Sequence, residues 1–230
     1  MCGRFTLYFG LDQLCERFQV HLEDGFTDTY IPRYNISPTQ EIAIVTNNND
    51  KKRIEMAKWG LIPAWSKDTV KATSYKTFNA RAETITQKPV YRGPFKNKRC
   101  LIPSSGFFEW KKENKQPYFF HIKFEKVFAF AGLYDDWHDI SNDICIRSCT
   151  IITTTPNELV SQYHDRMPVI LKKKDEDLWL SEVKEANDLL PLLKPFESNE
   201  MAGYKVSKDC NNGGFDSSEC IKNMDLQKLY

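Results

Sequence analysis

The residue most open to chemistry stands second. The chain begins Met-Cys-Gly-Arg-Phe, and aminopeptidases remove an initiator methionine when a small residue follows, so Cys2 is a candidate mature N-terminus. An N-terminal cysteine holds two nucleophiles on adjacent carbons. The amine has an ordinary pKa of about 7.7–8.0 and the thiol one of about 8.5, so both are partly reactive at neutrality. An aldehyde meeting this pair forms an imine with the amine. The thiol then closes a five-membered thiazolidine, which resists hydrolysis far better than the imine does. Position alone does not establish this chemistry, because a cysteine in second place is commonly incidental. Gly3 permits close approach, and Arg4 would bind a phosphate and favour the thiolate.

Two other residues have the chemistry to move protons. Glu109 lies between Phe108 and Trp110. In a strand the two aromatics share one face, and the carboxyl takes the opposite face with Phe107. That pattern fits a solvent-facing carboxylate, and it equally fits a desolvated acid of raised pKa suited to acid–base work. His164, in Tyr-His-Asp-Arg-Met-Pro, reads either as the complement of a helix C-terminus or as a catalytic acid. Paired with Cys2 it would also suit a cysteine peptidase. His21, His121 and His138 have no informative context.

Four proline-punctuated or aromatic-rich segments set polar groups beside rigid or bulky ones: 33–40 (RYNISPTQ), 59–68 (WGLIPAWSKD), 78–85 (FNARAETI) and 99–110 (RCLIPSSGFFEW). Each could be plain turn chemistry. For a metal, Cys145-x3-Cys149 has Cys100, His138 and Cys210 as conceivable partners, but the paired spacing of a zinc site is missing. These cysteines read as buried structural thiols, and no metal or other cofactor is expected. Phosphate-binding glycine motifs are missing as well.

The elements between these residues must bring them together. Leu11, Leu14, Cys15 and Phe18 have helical spacing, and residues 2–8 read as extended. Residues 41–46 and 54–59 look like strands joined by a turn over 47–52, and 99–102, 107–111, 118–123, 127–133 and 149–154 continue the series. Thr155, Pro156 and Glu158 suggest a capping box opening a helix, with His164 beyond it. A short strand at 169–171, helices near 176–180 and 185–193, and a last strand at 203–206 follow. Many short strands with few helices predict a mostly β, α+β architecture around a curved sheet. No linker or internal repeat is visible. One domain over 1–206 with a loosely held polar tail over 207–230 is expected.

The chain has 230 residues, 41% hydrophobic and 27% charged, enough to bury a core without disulfides. No apolar run approaches the ~18 residues of a membrane span, and the N-terminus lacks a signal-peptide core. Seven scattered cysteines point to free thiols in a reducing compartment. The net charge of +1 conceals an asymmetry: residues 51–100 carry 13 basic and 3 acidic side chains. Trp59, Trp65, Tyr75, Phe78, Tyr91 and Phe95 fall in the same stretch. Basic residues interleaved with aromatics make a groove that follows phosphates and stacks bases, although a lysine-rich solvated face gives the same count.

Met-Cys-Gly-Arg-Phe, the four segments above and TTTPNELVSQYHDRMPVIL together resemble the SOS response-associated peptidase (SRAP) family, in family order, from residue 1 to about 206. Cys210 and Ser104 depart mildly from its pattern. The resemblance implies a barrel-like α+β fold of curved antiparallel sheets that binds single-stranded DNA and cross-links to abasic sites. It implies Cys2 as nucleophile, Asn79 and Glu109 assisting at the sugar, and His164 in proton transfer. Arg4 and Arg81 would hold phosphates, and Trp59, Pro63 and Trp65 would shape the DNA surface. Asn79 offers both a donor and an acceptor without charge, as such a role needs. The name "peptidase" would refer to self-removal of Met1, alongside a lyase-type activity. The implied partner is single-stranded DNA with abasic sites, met by a monomer away from membranes. The protein would sit in the cytoplasm or nucleoid of a bacterium, or the nucleus of a eukaryote, and would not be secreted. A non-covalent single-stranded nucleic-acid-binding module and a cysteine peptidase remain the alternatives.

Overall fold

The computed structural model describes residues 2–20, 22, 29–48, 51–67, 77–139, 142–182 and 185–226. Its centre is a closed five-stranded barrel. The strands are β3 (Glu41–Asn48), β4 (Lys51–Trp59), β6 (Arg99–Ser104), β9 (Phe128–Asp139) and β10 (Ile144–Thr154). Pairing runs β10-β4-β3-β6-β9 and returns from β9 to β10, so no barrel edge is left open. Closure depends on one parallel contact, Ser148 with Lys58 and Cys149 with Trp59, in an otherwise antiparallel ring. Three short strands extend it: β5 (Asn79–Arg81) and β11 (Met167–Pro168) on β10, and β12 (Ile170–Leu171) on β9.

A second sheet has the order β13-β8-β7-β1-β2, formed by β13 (Met201–Lys205), β8 (Pro117–Ile122), β7 (Gly106–Trp110), β1 (Phe5–Leu7) and β2 (Arg33–Ile36). The chain passes from the barrel into this sheet between β6 and β7 at Gly106. A Cβ there would lie 2.2 Å from the Phe119 ring, so only glycine lets β7 sit this close to β8. Alternation along β7 then sorts its side chains: Phe107 enters the main core and Phe108 a smaller one with Phe119, Val206, Cys210 and Cys220. In the main core Phe5 meets Trp59 and Phe130 edge-on, with ring centroids 5.2 and 5.8 Å apart. The fold expectation is met: a mostly β, barrel-like arrangement with short helices α1 (Leu11–Phe18), α2 (Pro89–Asn97), α3 (Glu158–Ser161) and α4 (Glu176–Leu180).

Several local expectations need correction. The cap of α3 is Asn157, whose Oδ1 accepts from the Val160 amide at 2.9 Å, so Thr155 and Pro156 lie outside the helix. Asparagine is a better cap than threonine and stands two residues nearer the helix. The helix expected over 185–193 is a 3-10 segment, Ala186–Leu192, with Pro191 removing a donor. Strands β3 and β4 extend into the expected turn, whose residues 49–50 lie outside the described residues. Over the described residues 207–226 the tail is not loosely held. Cys210 and Cys220 are fully buried, Asp216 pairs with Arg33, and Asn35 donates to the carbonyls of Cys210, Asn212 and Phe215. A polar composition concealed a strap tied by backbone carbonyls, which sequence does not display. Among the described residues no helix is long and apolar enough to cross a membrane.

Candidate active site

The two sheets meet where β1 begins, and the candidate residues gather there. Cys2 precedes β1 and is fully buried, with its thiol turned toward the Arg4 carbonyl at 3.9 Å. Burial pushes that thiol well above its ordinary range, and the charge of Glu109 adds to the effect. The sequence expectation of a thiol partly ionised at neutrality is therefore corrected for this form of the chain. From the barrel side, β5 delivers Asn79, whose Nδ2 donates to the Cys2 carbonyl at 2.7 Å. Its Oδ1 is buried with no partner among the described residues.

Glu109 comes from β7 on the side predicted by alternation, and it is buried rather than solvent-facing, only 1% exposed. Burial raises its pKa to about 8, against the pull of the positive amino terminus. One carboxyl oxygen, Oε1, has no hydrogen-bond partner among the described residues. A buried carboxyl with an unpartnered oxygen is costly to maintain. That cost is expected where a group must exchange a proton.

His164 follows α3, with its amide bonded to the Val160 carbonyl at 3.0 Å. Two neighbours compete for Nδ1. The Arg166 amide donates to it at 3.0 Å, whereas Asp165 Oδ1 lies 2.9 Å away and gains a bond only if Nδ1 is protonated. Burial lowers the ring's pKa and favours the neutral form. A neutral ring that accepts the Arg166 amide at Nδ1 carries its proton on Nε2.

Arg4, Glu109, Trp110, Lys111, Lys112 and His164 line a cavity of about 540 Å³, with Lys115 and Asn211 at its wall. Arg4 is less free than its sequence role suggested. Its Nη1 donates to Asn35 Oδ1 at 2.6 Å and to the Cys210 carbonyl at 2.9 Å, and its guanidinium stands 5.9 Å from the Trp110 ring centre. Its Nε keeps a buried N–H without a partner among the described residues. Arg81 is exposed at the end of β5. Its charge reaches Glu83, which grips the Arg166 guanidinium at 2.6 and 3.0 Å.

The three residues expected to shape a DNA surface separate. Trp59 is fully buried, donating Nε1–H to the Phe78 carbonyl at 2.8 Å, and Pro63 is buried too. Neither presents a face to a ligand; Trp59, at the end of β4, is turned inward against Phe5 and beside β10. Trp65 is 66% exposed, beside a separate cavity of about 590 Å³ with Arg92 and Lys98. The basic stretch is also not one face: Arg99 is buried on four backbone carbonyls, and Lys98 pairs with Asp135 and Asp136. Sequence reasoning missed Lys111, Lys112, Lys115, Asn211 and Asn35. The run Trp-Lys-Lys-Glu-Asn-Lys directly after Glu109 was the available signal for the lysines.

Of the cysteines weighed for metal, Cys145 is exposed rather than buried, with its sulfur 3.8 Å from His138 Nε2 on the neighbouring strand. Cys100, Cys149 and Cys210 are buried, and no cluster of three metal-ligating groups occurs among the described residues.

A family model described as SOS response associated peptidase (SRAP) matches residues 1–213, most of the chain. The chain belongs to the SRAP family. The match continues past residue 206 into the strap that holds Arg4, in keeping with that segment's place in the fold. Among SRAP relatives, the abasic site processing protein YoqW of Bacillus subtilis (strain 168) is 42% identical over 228 residues, spanning 96% of this chain and 99% of that protein. The abasic site processing protein HMCES of Xenopus tropicalis is 32% identical, over 86% of this chain and 68% of its own length. A crystal structure of a Bacteroides thetaiotaomicron protein superposes with a TM-score of 0.87 at 28% identity, covering 96% of this chain and 99% of the other.

Proposed function

We propose that this protein processes abasic sites in DNA by covalent capture, with Cys2 as the nucleophile once Met1 is removed. The observation that carries the reading is the convergence on residue 2. Asn79 fixes its carbonyl, Glu109 is buried within electrostatic reach of its thiol, and His164 shares the cavity with Glu109. The relatives named as abasic site processing proteins support an abasic site as the substrate, and its deoxyribose in the open form bears the aldehyde this chemistry needs.

In this mechanism Glu109 accepts a proton from the Cys2 ammonium and leaves a neutral amine to attack the aldehyde carbon. His164 donates from Nε2 to the ring oxygen as the sugar opens and regains a proton from the hemiacetal hydroxyl. Water leaves with the carbonyl oxygen, giving the imine. The thiol sulfur adds to the imine carbon while its proton passes to nitrogen, closing a thiazolidine with net loss of one water. Because burial holds the thiol proton tightly, the amine reacts first and the sulfur second. Asn79 keeps residue 2 in place through both steps. A single strand suits an opening that must reach the sugar itself, and the salt dependence of binding should be steep. Release of Met1 by the same groups, action as a monomer and a lyase-type outcome at the lesion belong to this reading.

Mixing the processed protein with abasic single-stranded DNA and running a denaturing gel tests it. A gel-stable species with wild-type protein and none with Cys2→Ala is expected. A full-yield adduct from Cys2→Ala would overturn the assignment.

A further inference from the structure

The charge around the Glu109–His164 cavity is one-sided. Arg4, Lys111, Lys112 and Lys115 all line it, the three lysines within the turn that directly follows Glu109. Lys112 is near enough for its charge to lower the pKa of both His164 and Asp165. Lys111 Nζ lies 5.9 Å from the ring centres of Tyr118 and of Tyr163, so its ammonium rests over aromatic faces. Opposing them are Glu113, an exposed residue of the same turn, and two acids of the site. Asp165 is 73% exposed and lies against the His164 ring, and Glu109 is neutral through most of the range up to about 8. Two buried polar atoms, Arg4 Nε and Glu109 Oε1, have no partner among the described residues. At about 540 Å³ the cavity is in the size range of small-molecule sites.

Cations that only follow a strand would spread along a groove. Here they converge on the same cavity as the acid–base pair, which places phosphate recognition on the very sugar that carries the aldehyde. We propose that this pocket also takes small phosphorylated aldehydes as free molecules, the phosphate held by Arg4 and the Lys111–Lys115 turn and the aldehyde carbon captured at Cys2. This rests on the capture chemistry proposed above. The balance is the same: amine and thiol of one residue plus one aldehyde give one thiazolidine and one water, with no change of oxidation state.

The probe is 2-deoxyribose 5-phosphate, compared with 2-deoxyribose at matched open-chain aldehyde concentration. Protein confirmed by mass to lack Met1 is incubated with each, and the adduct (sugar less one water) is followed by intact mass spectrometry. The phosphorylated sugar should react about tenfold faster or more, the effect of one charge-assisted contact. Inorganic phosphate should slow it competitively. In the triple variant Lys111→Gln/Lys112→Gln/Lys115→Gln the ratio of the two rates should fall toward one. Capture of the unphosphorylated sugar by that variant reports an intact site. Equal rates in the wild type, or an unchanged ratio in the triple variant, would overturn the inference. Capture of abasic DNA without capture of either sugar would overturn it and leave the DNA reading standing. Failure to capture abasic DNA as well would remove the reading on which it rests.

Discussion

Replacing Glu109 with glutamine keeps the side chain's shape and deletes its proton equilibrium. In the fold this carboxyl rises from an ordinary 4.5 to about 8, with burial as the main cause. The shift has a sign in stability. Between those values the unfolded chain has released the proton and the folded chain still holds it, so stability falls as pH rises through this window. At about 1.36 kcal/mol per unit the full difference is about 5 kcal/mol, an upper figure because folded proteins relax around buried charge. Glu109→Gln should therefore match the wild type near pH 4.5 and become progressively more stable toward pH 8–9. The same variant should cross-link abasic DNA more slowly by about 10²–10⁴, the range for a lost general base. Wild-type capture should rise with pH toward about 8 as the carboxyl ionises. Urea unfolding of both proteins from pH 5 to 9, alongside initial capture rates, checks both halves. Parallel stability curves, or a variant that reacts at the wild-type rate, would refute the reasoning.

Asn79→Ala removes the 2.7 Å bond to the Cys2 carbonyl; adduct formation should slow at least tenfold, measured at saturating DNA so that affinity does not enter. Trp59→Ala should cost about 3–5 kcal/mol by emptying a core position, whereas Trp65→Ala should leave the melting temperature nearly unchanged and weaken binding of single-stranded DNA. Paired thermal melts and binding titrations separate the two, and an equal loss of stability in both would contradict the burial assignments. Asn35→Ala should free the strap from three carbonyls and release Arg4, seen as faster proteolysis between residues 207 and 226 and a loss of about 1–3 kcal/mol.

Which parts of this were legible in the sequence follows from range. Strands such as β3 and β6 contain short apolar runs, 42–45 and 100–102, and their existence is local information. The side of β7 that carries Glu109 also followed from alternation, since Phe107 and Phe108 had to part between two cores. Whether that side was wet or dry did not follow, because dryness depends on packing from residues far along the chain. The same limit explains Trp59: an aromatic in a basic stretch looks like a stacking platform until the parallel β4–β10 contact turns it inward. The strap was the largest miss. Its ties to Asn35 and Arg4 are made by backbone carbonyls, and these carry no residue-type signature. Cys2, Asn79, Glu109 and His164 could be grouped only through a family resemblance, since each comes from a different element.

The most direct test is the mass and stability of the adduct itself. Processed protein and an abasic oligonucleotide should give one species equal to their sum less one water, formed without any reductant. Digestion should map the DNA remnant to residue 2, in a form that borohydride leaves untouched. An attachment that survives only after borohydride trapping, or one that maps to Lys111, Lys112 or another lysine, would contradict capture by the amine and sulfur of Cys2.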